Sequence, residues 1–176
     1  MMRRIFLLML LWCSGYVSYA QYDIGAMNYG LVASKNFGEE KEFGLGLRIE
    51  YAFNCSTTFM AEYNRSLAIT SNKENQEYEG YNEFALGVNL ILFNWYPTTI
   101  TAGIGYVGND ANDFEFFEDD AFLSLQTGGM IHGAQIKIRA LHQLSDPIHI
   151  FGELNVKSLG SRYHTFLIGF SYDFYN

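Results

Sequence analysis

The chain has 176 residues, 49% of them hydrophobic and 17% aromatic, with a formal net charge of −8. A chain this acidic has no basic stripe with which to neutralise phosphates, which excludes nucleic acid as a partner. Its length suits one domain.

The first twenty residues run from Met1-Met2-Arg3-Arg4 through the apolar Ile5-Phe6-Leu7-Leu8-Met9-Leu10-Leu11-Trp12 to Ser18-Tyr19-Ala20. A basic start, a short apolar core and small residues before the cut predict a signal peptide over residues 1–20, leaving one domain over residues 21–176. The apolar run falls short of the roughly 20 residues that a membrane anchor needs. Cys13 is excluded as a lipoprotein site by the bulky Trp12 before it. Cleavage removes two bases and no acid, so nine Lys and Arg face 19 Asp and Glu and the net charge becomes −10. Cys55 is then the only thiol, and an internal disulfide is ruled out.

Residues 22–34 place Met27, Tyr29, Leu31 and Ala33 on one face of an extended strand. After the polar connection 35–42 comes the clearest stretch, Phe43 to Asn54. Phe43, Leu45, Leu47, Ile49, Tyr51 and Phe53 fall on one side, and Gly44, Gly46, Arg48, Glu50, Ala52 and Asn54 on the other. The third strand, 57–70, sets Phe59, Ala61, Tyr63, Leu67 and Ile69 against Glu62, Asn64 and Ser66. Arg65 falls on its apolar side, by snorkelling or by a bulge that shifts the register.

A polar segment, 71–80, leads to Phe84, Leu86, Val88, Leu90 and Leu92 opposing Glu83, Ala85, Gly87 and Asn89. A tight turn at 94–97 precedes Ile100, Ala102, Ile104 and Tyr106. The longest interruption spans 108–129. Within it, Phe122 to Leu125 fits a strand rising above the membrane, a small outer hairpin or a surface helix. The sixth strand, about 130–143, sets Ala134, Ile136, Ile138 and Ala140 against Gln135, Lys137 and Arg139. The seventh sets Ile148, Ile150, Leu154 and Val156 against His149, Glu153, Asn155 and Lys157. The last carries Phe166, Ile168, Phe170, Tyr172 and Phe174.

Connections after odd-numbered strands are polar and mostly long, and those after even-numbered strands are tight. A barrel crossing an outer membrane requires this segregation, with both chain ends on the periplasmic side, and a soluble sandwich does not. Strands of about 11–14 residues are long enough to cross a bilayer when tilted. The reading is a closed, antiparallel, eight-stranded transmembrane up-and-down β-barrel. Its inner face then holds Arg48, Lys137, Arg139 and Lys157 with Glu50, Glu62, Glu83 and Glu153. Eight strands enclose only enough space for side chains, so these ions are expected to pair into a polar core that holds the barrel together.

Near the end, Gly169-Phe170-Ser171-Tyr172-Asp173-Phe174, followed by Tyr175 and Asn176, is similar to the carboxy-terminal aromatic signature that the barrel-assembly machinery recognises in outer-membrane β-barrels. Together with the export signal and the aromatic-rich alternation, residues 21–176 resemble the small outer-membrane barrel domains abundant in Bacteroidota. The resemblance implies an outer-membrane location, contact with lipid, and an assembly signal in Phe170, Tyr172 and Phe174. It implies no particular activity.

The segment 108–120 carries Asp110, Asp113, Glu115, Glu118, Asp119 and Asp120 with no base among them. Its spacing does not make an EF-hand loop, and no metal site is assigned. It reads as a solvated outer loop whose Phe114, Phe116 and Phe117 offer a surface to a protein partner. His132 and His164 fall near the outer ends of two strands, with Ser161 nearby, as in a rim-active enzyme. Both histidines share parity with the lipid-facing rows, and one strand separates them. No phosphate loop or Cys-His cluster occurs, and no cofactor is expected. The expected function is a non-enzymatic outer-membrane protein, either structural or partner-binding through its outer loops, as an accessory subunit of a larger envelope complex in the second case. The alternatives are a rim enzyme acting on lipid or peptide, and a narrow pore.

Overall fold

A computed structural model describes residues 22–37, 42–68, 80–111 and 121–174. The strands are β1 (Met27–Asn36), β2 (Glu42–Asn54), β3 (Thr57–Ala68), β4 (Asn82–Trp95), β5 (Thr98–Asn109), β6 (Ser124–Thr127), β7 (Met130–Ser145), β8 (Ile148–Lys157) and β9 (Thr165–Phe174). Their order around the sheet is β5-β4-β3-β2-β1-β9-β8-β7-β6, and β5 also pairs with β7. That pairing runs from Thr98↔His142 to Asn109↔Ile131 and closes the ring, while β1 meets β9 from Met27↔Phe174 to Asn36↔Thr165. Eight long strands therefore form a closed antiparallel barrel. Closure satisfies the backbone of each strand on both sides, which a lipid environment demands.

Alternation in the sequence becomes inside and outside in the structure. Along β2, every residue from Phe43 to Phe53 at odd positions is exposed, while Glu42, Gly44, Arg48, Glu50 and Ala52 are buried. Leu31, Leu45, Leu47, Ile104, Ile136, Ile168 and Phe170 are all more than half exposed on the outer wall. Buried ions with exposed leucines are the reverse of a water-soluble core, and they match a solvent of acyl chains. Among the described residues, no helix is long and apolar enough to cross a membrane.

Two alternatives left open by the sequence are decided by the structure. Of the three readings of Phe122 to Leu125, the hairpin is the one seen: β6 pairs with β7, and β5 continues to Asn109, past the expected strand end. At Arg65 the β3–β4 register is unbroken, and the irregularity of the β2–β3 pairing lies instead between Ala52 and Asn54. Arg65 thus points outward near the end of its strand, where a long aliphatic stem lets the guanidinium leave the apolar layer.

Curvature comes from inward glycines. A Cβ on Gly46 would lie 2.4 Å from the Tyr63 carbonyl oxygen, and one on Gly105 would lie 2.2 Å from that of Leu86. Only glycine lets adjacent strands fold inward so sharply. The turns at 55–56, 96–97 and 146–147 share one end of the barrel with the beginning of β1 and the end of β9, here called the terminal end. The opposite end, the loop end, receives the other connections.

Candidate functional site

The barrel interior is the most heavily charged part of the described structure. Arg48 on β2 reaches two carboxylates: its Nε donates to Glu62 Oε2 of β3 at 2.7 Å, and Nη1 and Nη2 donate to Glu153 Oε2 and Oε1 of β8, each at 2.7 Å. Its side chain has no exposure, nor does that of Glu153. Arg139 on β7 donates from Nη2 to Glu50 Oε2 of β2 at 3.0 Å and from Nη1 to Glu50 Oε1. Since β2 and β7 lie four strands apart in a ring of eight, this pair crosses the lumen. Thr58 Oγ1 adds a hydrogen bond to Glu50 Oε2 at 3.1 Å. The Phe151 ring lies 4.7 Å from the Arg48 guanidinium and 5.8 Å from that of Arg139. Two-pronged contacts of this kind give a guanidinium both orientation and charge compensation.

Towards the loop end, Lys157 Nζ donates to Glu83 Oε1 at 2.6 Å. All eight charged residues singled out from the sequence are buried in the lumen. They do not pair one to one, since Arg48 takes both Glu62 and Glu153. Lys137 Nζ meets the Met60 sulfur, and among the described residues no carboxylate lies within 4.0 Å of it. Strand parity fixes the wall that a side chain faces, but not its height and angle relative to strands across the lumen.

Both mouths are filled. At the loop end, Tyr81, Val107, Ile131, Leu159 and Tyr163 form an apolar cluster, with the Tyr81 and Tyr163 rings edge to face at 5.7 Å. Polar contacts tie it to the wall: Asn36 Nδ2 donates to Tyr81 OH at 2.7 Å and Glu42 Oε2 at 2.6 Å, and Arg162 Nη2 donates to Glu42 Oε1 at 2.8 Å. Burial raises the Tyr81 hydroxyl pKa well above its ordinary value. At the terminal end Tyr22 turns into the barrel, its hydroxyl accepting from Arg139 Nη2 at 3.5 Å. Burial pushes its pKa up to about 12. Asn28 Nδ2 donates to Asp173 Oδ1 at 2.5 Å, and His149 Nδ1 lies 3.6 Å from Asp173 Oδ2. The cavity beside Tyr22, Asn28, Glu50 and Asp173 measures only about 20 Å³, room for one water molecule. Neither mouth cluster was identified from the sequence. Their residues come largely from turns and strand ends, where no period marks an inward direction.

The larger concavities, of about 830 and 530 Å³, lie on the outer wall. Ile49, Tyr51, Leu86 and Ile104 line one, and Leu31, Leu45, Ile168 and Phe170 the other. Acyl chains fill such spaces between splayed side chains.

The histidines do not converge. His132 stacks on Tyr106 and is hydrogen-bonded to its hydroxyl, whereas His164 Nδ1 accepts from the Lys157 backbone N–H at 3.2 Å, and β8 lies between β7 and β9. Ser161 is exposed in a short 3₁₀ turn. Among the described residues, no group of three or more His, Cys, Asp or Glu is placed to hold a metal ion. Asp110 closes the outer end of the β4–β5 pair: its carboxylate accepts from the Asn82 backbone N–H at 2.6 Å and from Asn82 Nδ2 at 2.7 Å. Asp113, Phe114, Glu115, Phe116, Phe117, Glu118, Asp119 and Asp120 lie outside the described residues. Phe170, Tyr172 and Phe174 form an exposed outward row on β9.

No family model and no curated protein matches the chain. Solved structures do. The amino-terminal β-barrel domain of Pseudomonas aeruginosa OprF superposes with a TM-score of 0.59 at 10% identity, covering 86% of this chain and 98% of that one. The Yersinia pestis outer membrane protein Ail, in a phospholipid bilayer nanodisc, gives 0.57 at 10% identity, over 85% and 99%. A de novo designed transmembrane β-barrel gives 0.58 at 11% identity, over 87% and 98%. The fold is that of the outer-membrane β-barrels, and a designed sequence reaches it as closely as natural ones do.

Proposed function

We propose that this protein is an integral outer-membrane barrel without enzymatic activity, whose sealed lumen is a structural core and whose loop end meets a protein partner. The observation that carries this reading is the lumen itself: arginine–glutamate pairs span it, and a plug of side chains fills each mouth. A sealed tube conducts nothing, and buried, paired ions are poor acids, bases or nucleophiles. Function then falls to the surface outside the membrane, as part of the envelope or as an accessory subunit of a larger complex.

Residues 1–20 act as the export signal in this reading, and residues 21–176 form the barrel domain. The exposed row Phe170, Tyr172 and Phe174 supports an assembly signal read by the barrel-assembly machinery, since β9 presents it at the seam with β1. The affinity with Bacteroidota barrels rests on the export signal, the aromatic-rich strands and the terminal pattern.

Planar-bilayer recording is the test. The barrel is expected to show no steady conductance, and a stable open channel overturns the sealed-lumen reading. Replacing His132 and His164 with alanine is expected to leave the protein's effect on the cell envelope unchanged. Loss of that effect with folding intact would favour a rim enzyme.

A further inference from the structure

β8 leaves the wall early. It pairs with β7 as far as Gln135↔Lys157, after which the chain turns inward and Leu159 enters the loop-end mouth cluster. The vacated edge of β7 is taken by β6, with Ser124↔Gly133, Leu125↔His132, Gln126↔Ile131 and Thr127↔Met130. Ser158 joins the two pieces: its Oγ donates to the Leu123 carbonyl at 2.7 Å and accepts from the Ala134 N–H at 2.8 Å, and its own carbonyl accepts from the Phe122 N–H at 3.2 Å. The strand β6 therefore continues the wall above β8.

Its side chains continue the wall's chemistry as well. The outward row of β8, Leu154 and Val156, is followed across the break by Leu123 and Leu125, which are 64% and 67% exposed. Phe122 and Met130 are exposed beside them. Leu125 stands opposite His132, whose ring stacks on Tyr106, a pairing of the amphipathic type that sits at headgroup level. From Ala134 to His132 the strand rises about 7 Å, or about 5 Å along the membrane normal for a strand tilted by about 40°. The headgroup layer is about 5–7 Å deep on each side. The apolar row of β6 thus reaches about one headgroup depth beyond the last outward residues of β8.

We infer that the β6 hairpin is a lipid-contacting patch, in which Phe122, Leu123, Leu125 and Met130 seat in the headgroup-proximal layer of the bilayer at the loop end. The inference rests on the membrane location proposed above. Its occupant is lipid because the patch is continuous with the lipid-facing wall.

Tryptophan reporters in the full chain test it, in a background carrying Trp12→Phe and Trp95→Phe. Leu125→Trp and Leu123→Trp report on the hairpin and Ile138→Trp on the wall, each folded into phosphatidylcholine vesicles without other protein. The hairpin reporters are expected to emit to the blue of tryptophan in water, to resist soluble iodide, and to lose most emission to lipid brominated near the carbonyl end of its chains. Ile138→Trp is expected to be quenched more by bromine near the methyl end. Hairpin reporters that emit as in water and are quenched by iodide, beside a lipid-quenched Ile138→Trp, overturn the inference and leave the patch to a protein partner. If Ile138→Trp also escapes the brominated lipid, the membrane reading falls with it.

Discussion

The middle of the lumen and its loop-end mouth are equally well buried but held by different forces. In the middle, Arg48 bridges Glu62 and Glu153, and Arg139 grips Glu50 across the barrel. At the mouth, Tyr81, Val107, Ile131, Leu159 and Tyr163 pack as an ordinary apolar core, assisted by Asn36, Glu42 and Arg162. The contrast shows how an inside-out protein closes. Where the wall carries charged residues on inward positions, arginine and glutamate fill the space against each other, beside an inward apolar cluster of Val32, Leu141, Phe151 and Leu167. Where strands give way to turns, the chain can fold its own apolar side chains inward and cap the tube.

Substitutions can break that contrast. Arg48→Ala is expected to have the largest effect, because it leaves Glu62 and Glu153 without their shared guanidinium; a buried charge stripped of its partner costs about 3–5 kcal/mol. Urea unfolding in vesicles measures it, and a loss within the range of a surface substitution would show that the pairs are dispensable. Tyr81→Ala should cost somewhat less, about 3 kcal/mol, as a large-to-small change in an apolar cluster. It should also leave conductance at baseline, since the ion pairs below still block the lumen.

Lys137→Met sharpens the comparison within the middle region. Among the described residues Lys137 Nζ meets the Met60 sulfur and no carboxylate within 4.0 Å, so replacing it with an apolar side chain of similar length should change stability by less than about 1 kcal/mol, in contrast to Arg48. A loss as large as that of Arg48→Ala would mean that its charge is needed at longer range by Glu50 and Glu153.

The smallest effect is expected at Tyr22. Its folded-state pKa of about 12 lies above the ordinary 10.0. The neutral hydroxyl's contribution is therefore complete below pH 10 and lost as pH rises through about 12, since the unfolded chain releases its proton first. Tyr22→Phe should flatten that part of the stability profile relative to the parent protein. An unchanged slope would remove Tyr22 from the terminal plug.

The wall was the legible part of this molecule. From Phe43 to Asn54 each large apolar residue pointed out and each charge in, because a strand's period of two leaves no other choice once one face must meet lipid. The interior was legible only as a list of residues. That Arg48 takes Glu153 besides its direct cross-strand neighbour Glu62, while Lys137 takes a thioether, depends on the stagger of strands three places apart, which no local pattern records. The strand β6, Ser-Leu-Gln-Thr, is too short to show a period, and it exists because β8 vacates an edge that needs a partner. Tyr22, Tyr81 and Tyr163 stand outside the strands, so nothing in their neighbourhoods announced that they turn inward.

The most direct test asks which solvent the outer wall requires. The protein, unfolded in urea and diluted, is expected to fold only when vesicles or detergent are present, giving a species whose gel mobility changes on boiling. A folded monomer that stays in solution in plain buffer would mean that the apolar rows do not face lipid, and would contradict the account.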